Sequence, residues 1–203
     1  MDVQNQNQGM GNRLRVLRGR RSERGASMIE LAFILPILIV LAYGVVDIGR
    51  LIHARLVITN VSREGGSLAS RGIRTGSTLV GVLQSSATPF DLKNAEGKIW
   101  ITSIKAGTST TQPEPYIASR FNGGLLNAPS SITGPLGGKP AGLSTAIYNH
   151  LQFDSLNKTS DIAEVTVVEV FYLYRPITPL PKFVKDLVLP GSGGMLIGSK
   201  AVF

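Results

Sequence analysis

The hydrophobic pattern begins with one long run that carries no charge. Residues 31–46 read LAFILPILIVLAYGVV, and the apolar stretch extends back to Ala26 with Glu30 as its one interruption. A helix over 26–46 would be about 31 Å long, close to the roughly 30 Å hydrocarbon thickness of a bilayer. A secretory signal has a shorter apolar core and a small-residue cleavage site after it. The pattern therefore predicts a transmembrane helix over 26–46 that the mature protein keeps.

The helical pattern continues beyond the apolar run. Residues 47–70 contain no proline, and apolar or small residues recur at spacings of three and four. This spacing predicts an amphipathic extension of the same helix over 47–70, which needs another part of the chain to cover its apolar side. The residues on that side are Leu51, Ala54, Ile58, Val61, Gly65 and Leu68, with His53, Asn60, Arg63 and Glu64 on the other.

The remainder, residues 71–203, has the pattern of a small α+β domain. Short helices are predicted over 78–87, capped by Ser77, and over 143–151, and strands near 99–105, 164–174 and 195–203. Residues 107–140 are rich in Gly, Pro, Ser and Thr, which predicts an irregular loop. Prolines exclude regular structure throughout 175–190. The predicted fold is a long N-terminal helix, its first half transmembrane, packed against a small antiparallel sheet.

Composition excludes several classes of protein. With 43% apolar residues the chain is too hydrophobic to be wholly disordered, and without cysteine it has no disulfide scaffold or thiolate metal site. Two histidines, His53 and His150, are better explained by solvated or packing roles. A phosphate-loop pattern fails at Pro140, and Asp154 and Asp161 read as loop acids. We therefore expect no enzyme, no metal and no other cofactor.

The charge distribution gives the chain an orientation. The net charge is +8, and residues 1–25 contribute six arginines against Asp2 and Glu23. An arginine-rich segment before a membrane span remains in the cytoplasm, so residues 71–203 are expected on the other side. Arg50, Arg55 and Arg63 weaken this asymmetry. Because the span explains the arginines, and no aromatic residues are interleaved with them, we expect no nucleic acid partner.

Glu30 is the residue of the span most in need of explanation. A carboxylate at the bilayer centre costs about 2.5–3.5 kcal/mol, and less near the interface. One interpretation is that Glu30 is protonated or reaches the headgroups without a function. The other is that it meets a cation.

The residues before Glu30 resemble a prepilin-peptidase signal, in which a basic leader ends in glycine and glutamate is the fifth residue of the mature chain. Here the basic residues end at Gly25, and Ala26 would be the new N-terminus. Residues 25–71, beginning GASMIELAF, resemble the TadE-like family, minor pseudopilins of the bacterial tight-adherence (Tad/Flp) pilus. Residues 164–203 resemble the end of such proteins more loosely.

The resemblance implies that a prepilin peptidase removes the basic leader, residues 1–25, and that Glu30 aids processing or subunit docking. It implies a single-pass protein of the bacterial inner membrane, with its N-terminus cytoplasmic and its bulk periplasmic, that assists pilus assembly and through it adhesion and biofilm formation. Expected partners are the peptidase, the other pilins and pseudopilins, the assembly platform and membrane lipid, in homo- or hetero-oligomers. The span residues expected to pack are Leu31, Phe33, Pro36, Tyr43 and Gly44.

Two alternatives stay open at this point. The chain could be an uncleaved, signal-anchored periplasmic binding or adhesion protein whose 107–140 loop recognises a ligand, or a membrane-tethered hydrolase, which no motif supports. Whether a pseudopilin-like subunit enters the fibre, caps its tip or stays in the membrane is also open.

Overall fold

A computed structural model describes residues 8–72, 76–154, 160–177 and 194–203. Within the first helix, side chains are described from Gly25 onward, except that of Ala26. The chain divides into two compact units, the first ending at Ile48 and the second running from Gly49 to Phe203. The first seven residues of the predicted leader and residues 178–193, with most of the proline-rich segment, lie outside the described residues.

Helix α1 spans Gln8–Ser70 and continues through Pro36. It starts well before Ala26, where the sequence predicted a helix to begin, and it ends at the predicted residue. The helix tolerates Pro36 although this residue has no N–H to donate to the carbonyl four residues earlier.

The second unit is an α+β domain, as predicted. Its sheet has the order β2-β1-β3-β4, and every neighbouring pair is antiparallel. The part of α1 from Gly49 onward packs on one face, which we call the helix face. The other elements are α2 (Gly76–Ser86), β1 (Gly97–Lys105), β2 (Tyr116–Gly123), α3 (Thr145–Leu151), β3 (Glu164–Tyr174) and β4 (Met195–Val202).

All three predicted strands and both short helices are present, and the predicted loop over 107–140 is wrong for Tyr116–Gly123. This segment forms β2, which pairs along β1 with Phe121 opposite Ile101. Its sequence alternates weakly, and the strand forms because β1 offers a partner. Ser77 does not cap α2, since that helix already begins at Gly76. Ser144 does cap α3, accepting a hydrogen bond from the Ile147 amide at 3.4 Å.

The helix face is covered by the predicted apolar side of α1. Ala54, Ile58 and Val61 are buried, and the polar residues predicted for the opposite side, among them Arg63 and Glu64, are exposed. Because an amphipathic helix packs on this face, it excludes water from the apolar side chains of the sheet. The other members of this cluster are Leu79, Val80, Leu83, Ala87, Leu92, Ile99, Ile101, Val168, Val170, Tyr172 and Tyr174.

The opposite face, which we call the loop face, is covered by residues 124–142, hereafter the covering segment. Glu169 is the central residue here: it is only 2% exposed, and its carboxylate accepts hydrogen bonds from the Ser130 hydroxyl and, at 3.0 Å, from the Ser131 amide. The Trp100 indole donates to the Ala128 carbonyl at 2.9 Å. Polar anchors thus hold irregular backbone against this side of β3, whereas Val168, Val170, Tyr172 and Tyr174 on its other side belong to the apolar cluster.

Arg120 adds a third anchor from β2. Its guanidinium donates to the carbonyls of Ile132 and Gly134, at 3.1 and 3.2 Å. A second apolar cluster lies on this face beside these bonds, so the part of the covering segment that passes over it is packed as well as hydrogen-bonded. Its members are Ile104, Ala106, Ile117, Ile132, Leu151, Val165 and Val167.

We predict that Gly65→Val destabilises the domain, because Gly65 allows α1 its close approach to α2 and β3. A Cβ at Gly65 would lie 2.6 Å from Leu83 Cδ1 and 3.2 Å from Val168 Cγ1, and both neighbours are fully buried. Overpacking of this kind costs about 1–3 kcal/mol. Urea unfolding of the full chain in detergent, followed by the fluorescence of its single tryptophan, measures the loss.

The matched control is Gly81→Val on α2, where an added Cβ meets no atom within 4 Å. Its stability should stay within about 0.5 kcal/mol of the native chain. Equal losses in the two variants would show that helix propensity, and not the close approach at Gly65, is what the substitution measures.

We also predict that Glu169→Ala loosens the covering segment. Removing the carboxylate leaves the Ser131 amide without an acceptor, which costs about 1–3 kcal/mol, while Glu169→Gln keeps an acceptor oxygen and should lose less. Limited proteolysis within residues 124–142, together with urea unfolding, provides the measurement. Glu164→Ala, an exposed acid on the same strand, is the control and should leave proteolysis unchanged. An equally resistant Glu169→Ala variant would contradict the role of the carboxylate.

Candidate membrane and processing site on helix α1

All the residues that the sequence singled out for function lie on α1. Gly25 and Ala26, the predicted cleavage site, are inside the helix, and Glu30 follows Ala26 by about one turn. Because residues four apart share a helix face, Glu30 is on the same side of α1 as residue 26. The structure places these residues but leaves their roles as predictions.

The first half of α1 exposes a continuous apolar surface. Every large apolar side chain from Met28 to Val46 is between 43% and 74% exposed, including Leu31, Phe33 and Tyr43. Fully covering one such side chain is worth about 1.5–3 kcal/mol, so a surface of this size requires an apolar surrounding.

That surface also meets the length and composition of a membrane span. The helix over Ser27–Ser70 contains an 18-residue window of mean hydropathy 2.5, and none of that window is buried in the protein. It is the one candidate span that the described residues contain. An apolar helix near the N-terminus is therefore available for a bilayer or for other helices.

Glu30 belongs to this exposed surface. Its side chain is exposed, and no salt bridge to it occurs within the described parts of the chain. At about 6 Å along the helix from Ala26, its carboxylate would enter the apolar environment together with its neighbours. The chain end that cleavage would create, another molecule or the headgroup region could each supply a compensating cation there.

Gly25 and Gly44 have no packing partner among the described residues. A Cβ built at either position meets no described atom within 4 Å. Neither glycine is therefore required by a close approach within that part of the chain, unlike Gly65. A small residue at Gly44 leaves room for an external helix, and one at Gly25 leaves the backbone accessible.

The two histidines are on the second unit and have ordinary partners. The rings of His53 and Phe90 pack edge to face at 5.4 Å, and Phe90 packs in the same way against Tyr172 at 5.2 Å. Burial, reinforced by the charge of Glu96, raises the pKa of the Tyr172 phenol. His150 Nδ1 lies 2.8 Å from Asp161 Oδ2, an exposed pair on the surface.

Metal ligands do not gather in the described residues, where no group of three or more His, Cys, Asp or Glu side chains could hold an ion. The sequence reasoning missed Glu169 and its serine partners. A glutamate in the middle of the run VTVVEVFYLY was the available signal, because a carboxylate buried in a sheet needs hydrogen-bond donors.

Among known protein families, the model described as TadE-like protein matches residues 25–67. The match starts at the predicted cleavage site and ends in the part of α1 that packs on the sheet. No curated protein and no solved structure matches the chain. The resemblance to the TadE-like family that the sequence indicated is thus confirmed over residues 25–67.

Proposed function

We propose that this chain is a minor pseudopilin-like subunit that assists assembly of a Tad-type pilus, after a prepilin peptidase cuts it between Gly25 and Ala26. The observation that carries the proposal is the TadE-like match over residues 25–67, which supports an association with the Tad pilus system. The match includes Glu30 and the exposed apolar surface, the features that such a role uses.

The first step is retention in the inner membrane by residues 26–46. The exposed apolar side chains supply the driving force, and the arginines before Gly25 favour a cytoplasmic leader and a periplasmic domain. The domain from Gly49 onward then stands outside the membrane as a folded body on the same helix.

The second step is cleavage, which makes the Ala26 amine a free ammonium. This cation is about one helical turn from the Glu30 carboxylate, on its own chain or on a neighbour packed alongside. Pairing lowers the cost of keeping both charges in an apolar surrounding. The role is structural and needs no catalytic group, and adhesion and biofilm formation would follow from the assembled pilus.

The third step is lateral packing of α1 against other pilin helices and the assembly platform. Leu31, Phe33, Pro36 and Tyr43 contribute to the exposed surface, and Gly44 permits a close approach. The subunit would therefore form hetero- or homo-oligomers through the helix half that its own domain leaves uncovered.

The cleavage assignment predicts a mature N-terminus at Ala26 in cells that have an active prepilin peptidase. Gly25→Val should accumulate a precursor longer by the 25-residue leader, because the β-branched side chain hinders access to the backbone. Intact mass and N-terminal sequencing of membrane-extracted protein measure both forms.

The control for this experiment is Gly49→Val, a second glycine of α1 whose added Cβ meets no described atom within 4 Å. It should be processed like the native protein. A full-length native chain, or an N-terminus other than Ala26, would contradict the assignment and favour the uncleaved anchored protein.

The charge-pair assignment predicts that Glu30→Ala lowers the number of pili even where cleavage persists. A lost interaction of about 1.4 kcal/mol changes an assembly equilibrium tenfold, so at least a tenfold decrease is expected. Pili counted by electron microscopy, alongside the processed fraction on a gel, provide the readout.

Glu64→Ala removes an exposed carboxylate from the second half of the same helix and should leave pilus number unchanged. Normal piliation of Glu30→Ala would argue against the pair, and an equal defect in both variants would show that net charge, not the position of Glu30, matters.

A further inference from the structure

Strand β4 forms one edge of the sheet, because the order β2-β1-β3-β4 gives it β3 as its single neighbour among the described residues. An edge strand presents a row of unpaired N–H and C=O groups to its surroundings. Such a row is a template for one more strand.

The hydrogen bonds at the end of β4 show which backbone groups point outward. Phe203 and Thr166 exchange both of their bonds, at 3.0 and 2.7 Å. Antiparallel strands alternate, so every second residue before Phe203 also faces β3. The residues whose N–H and C=O groups face away from β3 are therefore Leu196, Gly198, Lys200 and Val202.

The other edge of the sheet is covered by the chain itself. Strand β2 has an irregularity between Ile117 and Ser119, and the Ile117 backbone bonds outward to Gly137 and Gly138 at 2.8 and 3.0 Å. Bulges and covering loops are usual means of blocking an edge. The chain therefore blocks the β2 edge of the sheet, whereas the described residues leave the β4 edge open.

Among the residues that the structure describes, none gives strand β4 the usual protection. It contains no proline and no acidic residue, and its one charged side chain, Lys200, reaches the Ser131 hydroxyl at 2.9 Å and the Gly142 carbonyl at 3.2 Å. The lysine that would guard the edge is thus held by the covering segment. Leu196 and Val202 are 54% and 36% exposed beside the outward backbone groups.

We propose that the β4 edge binds an extended strand of a different polypeptide by antiparallel β-strand addition. Backbone bonds would supply the affinity, and side chains opposite Leu196 and Val202 would be apolar. The residue opposite Lys200 would be small or acidic, since a second cation there would repel it. The partner is therefore an extended peptide segment with apolar residues opposite Leu196 and Val202 and no cation opposite Lys200.

A second copy of this chain does not fit the edge, if both copies are anchored in one membrane as the proposed function requires. Pairing β4 with β4 antiparallel needs a two-fold axis perpendicular to the sheet, which reverses the part of α1 packed on the helix face. Two copies in one bilayer carry α1 in the same direction. Pairing β4 with β2 of another copy is obstructed by Gly137 and Gly138.

The first test asks whether the edge is open in the full chain. Residue-resolved amide exchange of the purified protein in detergent should show the amides of Leu196, Gly198, Lys200 and Val202 exchanging at least tenfold faster than those of Ile197, Ser199 and Ala201. Protection of the four outward amides would mean that the chain covers its own edge, and would overturn the proposal.

The second test uses a labelled synthetic peptide of residues 195–203 as the probe. Without α1 it can align antiparallel with Leu196 opposite Val202 and Gly198 opposite Lys200. Saturable binding by fluorescence anisotropy, with slower exchange of the outward amides, is expected. Leu196→Pro removes an outward N–H without breaking a bond to β3 and should weaken binding at least tenfold.

Leu196→Ala is the matched control, since it shortens the side chain and keeps the N–H. It should bind the peptide within about threefold of the native chain, because backbone pairing supplies most of the affinity. No binding by the native chain, or equal binding by Leu196→Pro, would overturn the proposal.

The third test places a photo-crosslinking residue at Val202 in piliated cells, with Arg63 on the exposed side of α1 as the reference position. An adduct that persists in Leu196→Ala and disappears in Leu196→Pro supports strand addition by another polypeptide. An adduct of twice the chain mass, or one insensitive to Leu196→Pro, contradicts it. The N-terminus of the protein is sequenced from the same cells. An N-terminus other than Ala26 would contradict the proposed cleavage but not the proposed strand addition at β4.

Discussion

One helix carries two apolar surfaces that are satisfied in different ways, and the rest of the structure depends on this division. From Gly49 onward the apolar side of α1 is buried against the sheet, whereas every large apolar side chain from Met28 to Ile48 is exposed. A water-exposed surface of that size is not stable by itself, since each large apolar side chain contributes about 1.5–3 kcal/mol when covered. The same helix therefore contributes to the core of the folded domain with one half and offers an apolar surface to an external partner or bilayer with the other.

The domain that α1 supports is stabilised differently on its two faces. The helix face is mainly apolar and is closed by Ala54, Ile58 and Val61, with Gly65 permitting close contact. The loop face combines a smaller apolar cluster with the hydrogen bonds of Glu169, Trp100 and Arg120. Irregular backbone needs such partners, because its own N–H and C=O groups are not paired in a ladder.

The sequence predicted the parts of the fold that follow from simple periodicity. The apolar side of α1, strand β3 and the length of the first apolar run were all readable from spacing alone. Strand β2 was not, because YIASRFNG has a weak pattern and forms a strand through its pairing with β1. The part of α1 before Ala26, back to Gln8, was also missed, since no apolar periodicity marks a helix there.

The functional residues likewise differ in whether the sequence alone could identify them. Gly25, Ala26 and Glu30 were found because a motif sets their order along the chain, and the family match covers them. Glu169 was not found, because its meaning depends on Ser130 and Ser131, which are far away in sequence and near in space. Local order can be read from a sequence, whereas a buried polar contact between distant segments requires the fold.

The continuity of α1 through residues 25 and 26 has an electrostatic consequence. In the uncut chain Glu30 is in the middle of a long helix, far from either pole of its macrodipole. Hydrolysis after Gly25 would make residue 26 a new helix start, with unpaired amides and a partial positive charge near the first turn. A carboxylate near that pole gains about 0.3–1 kcal/mol. Proteolysis would therefore remove the leader and also place the positive end of the helix macrodipole close to Glu30.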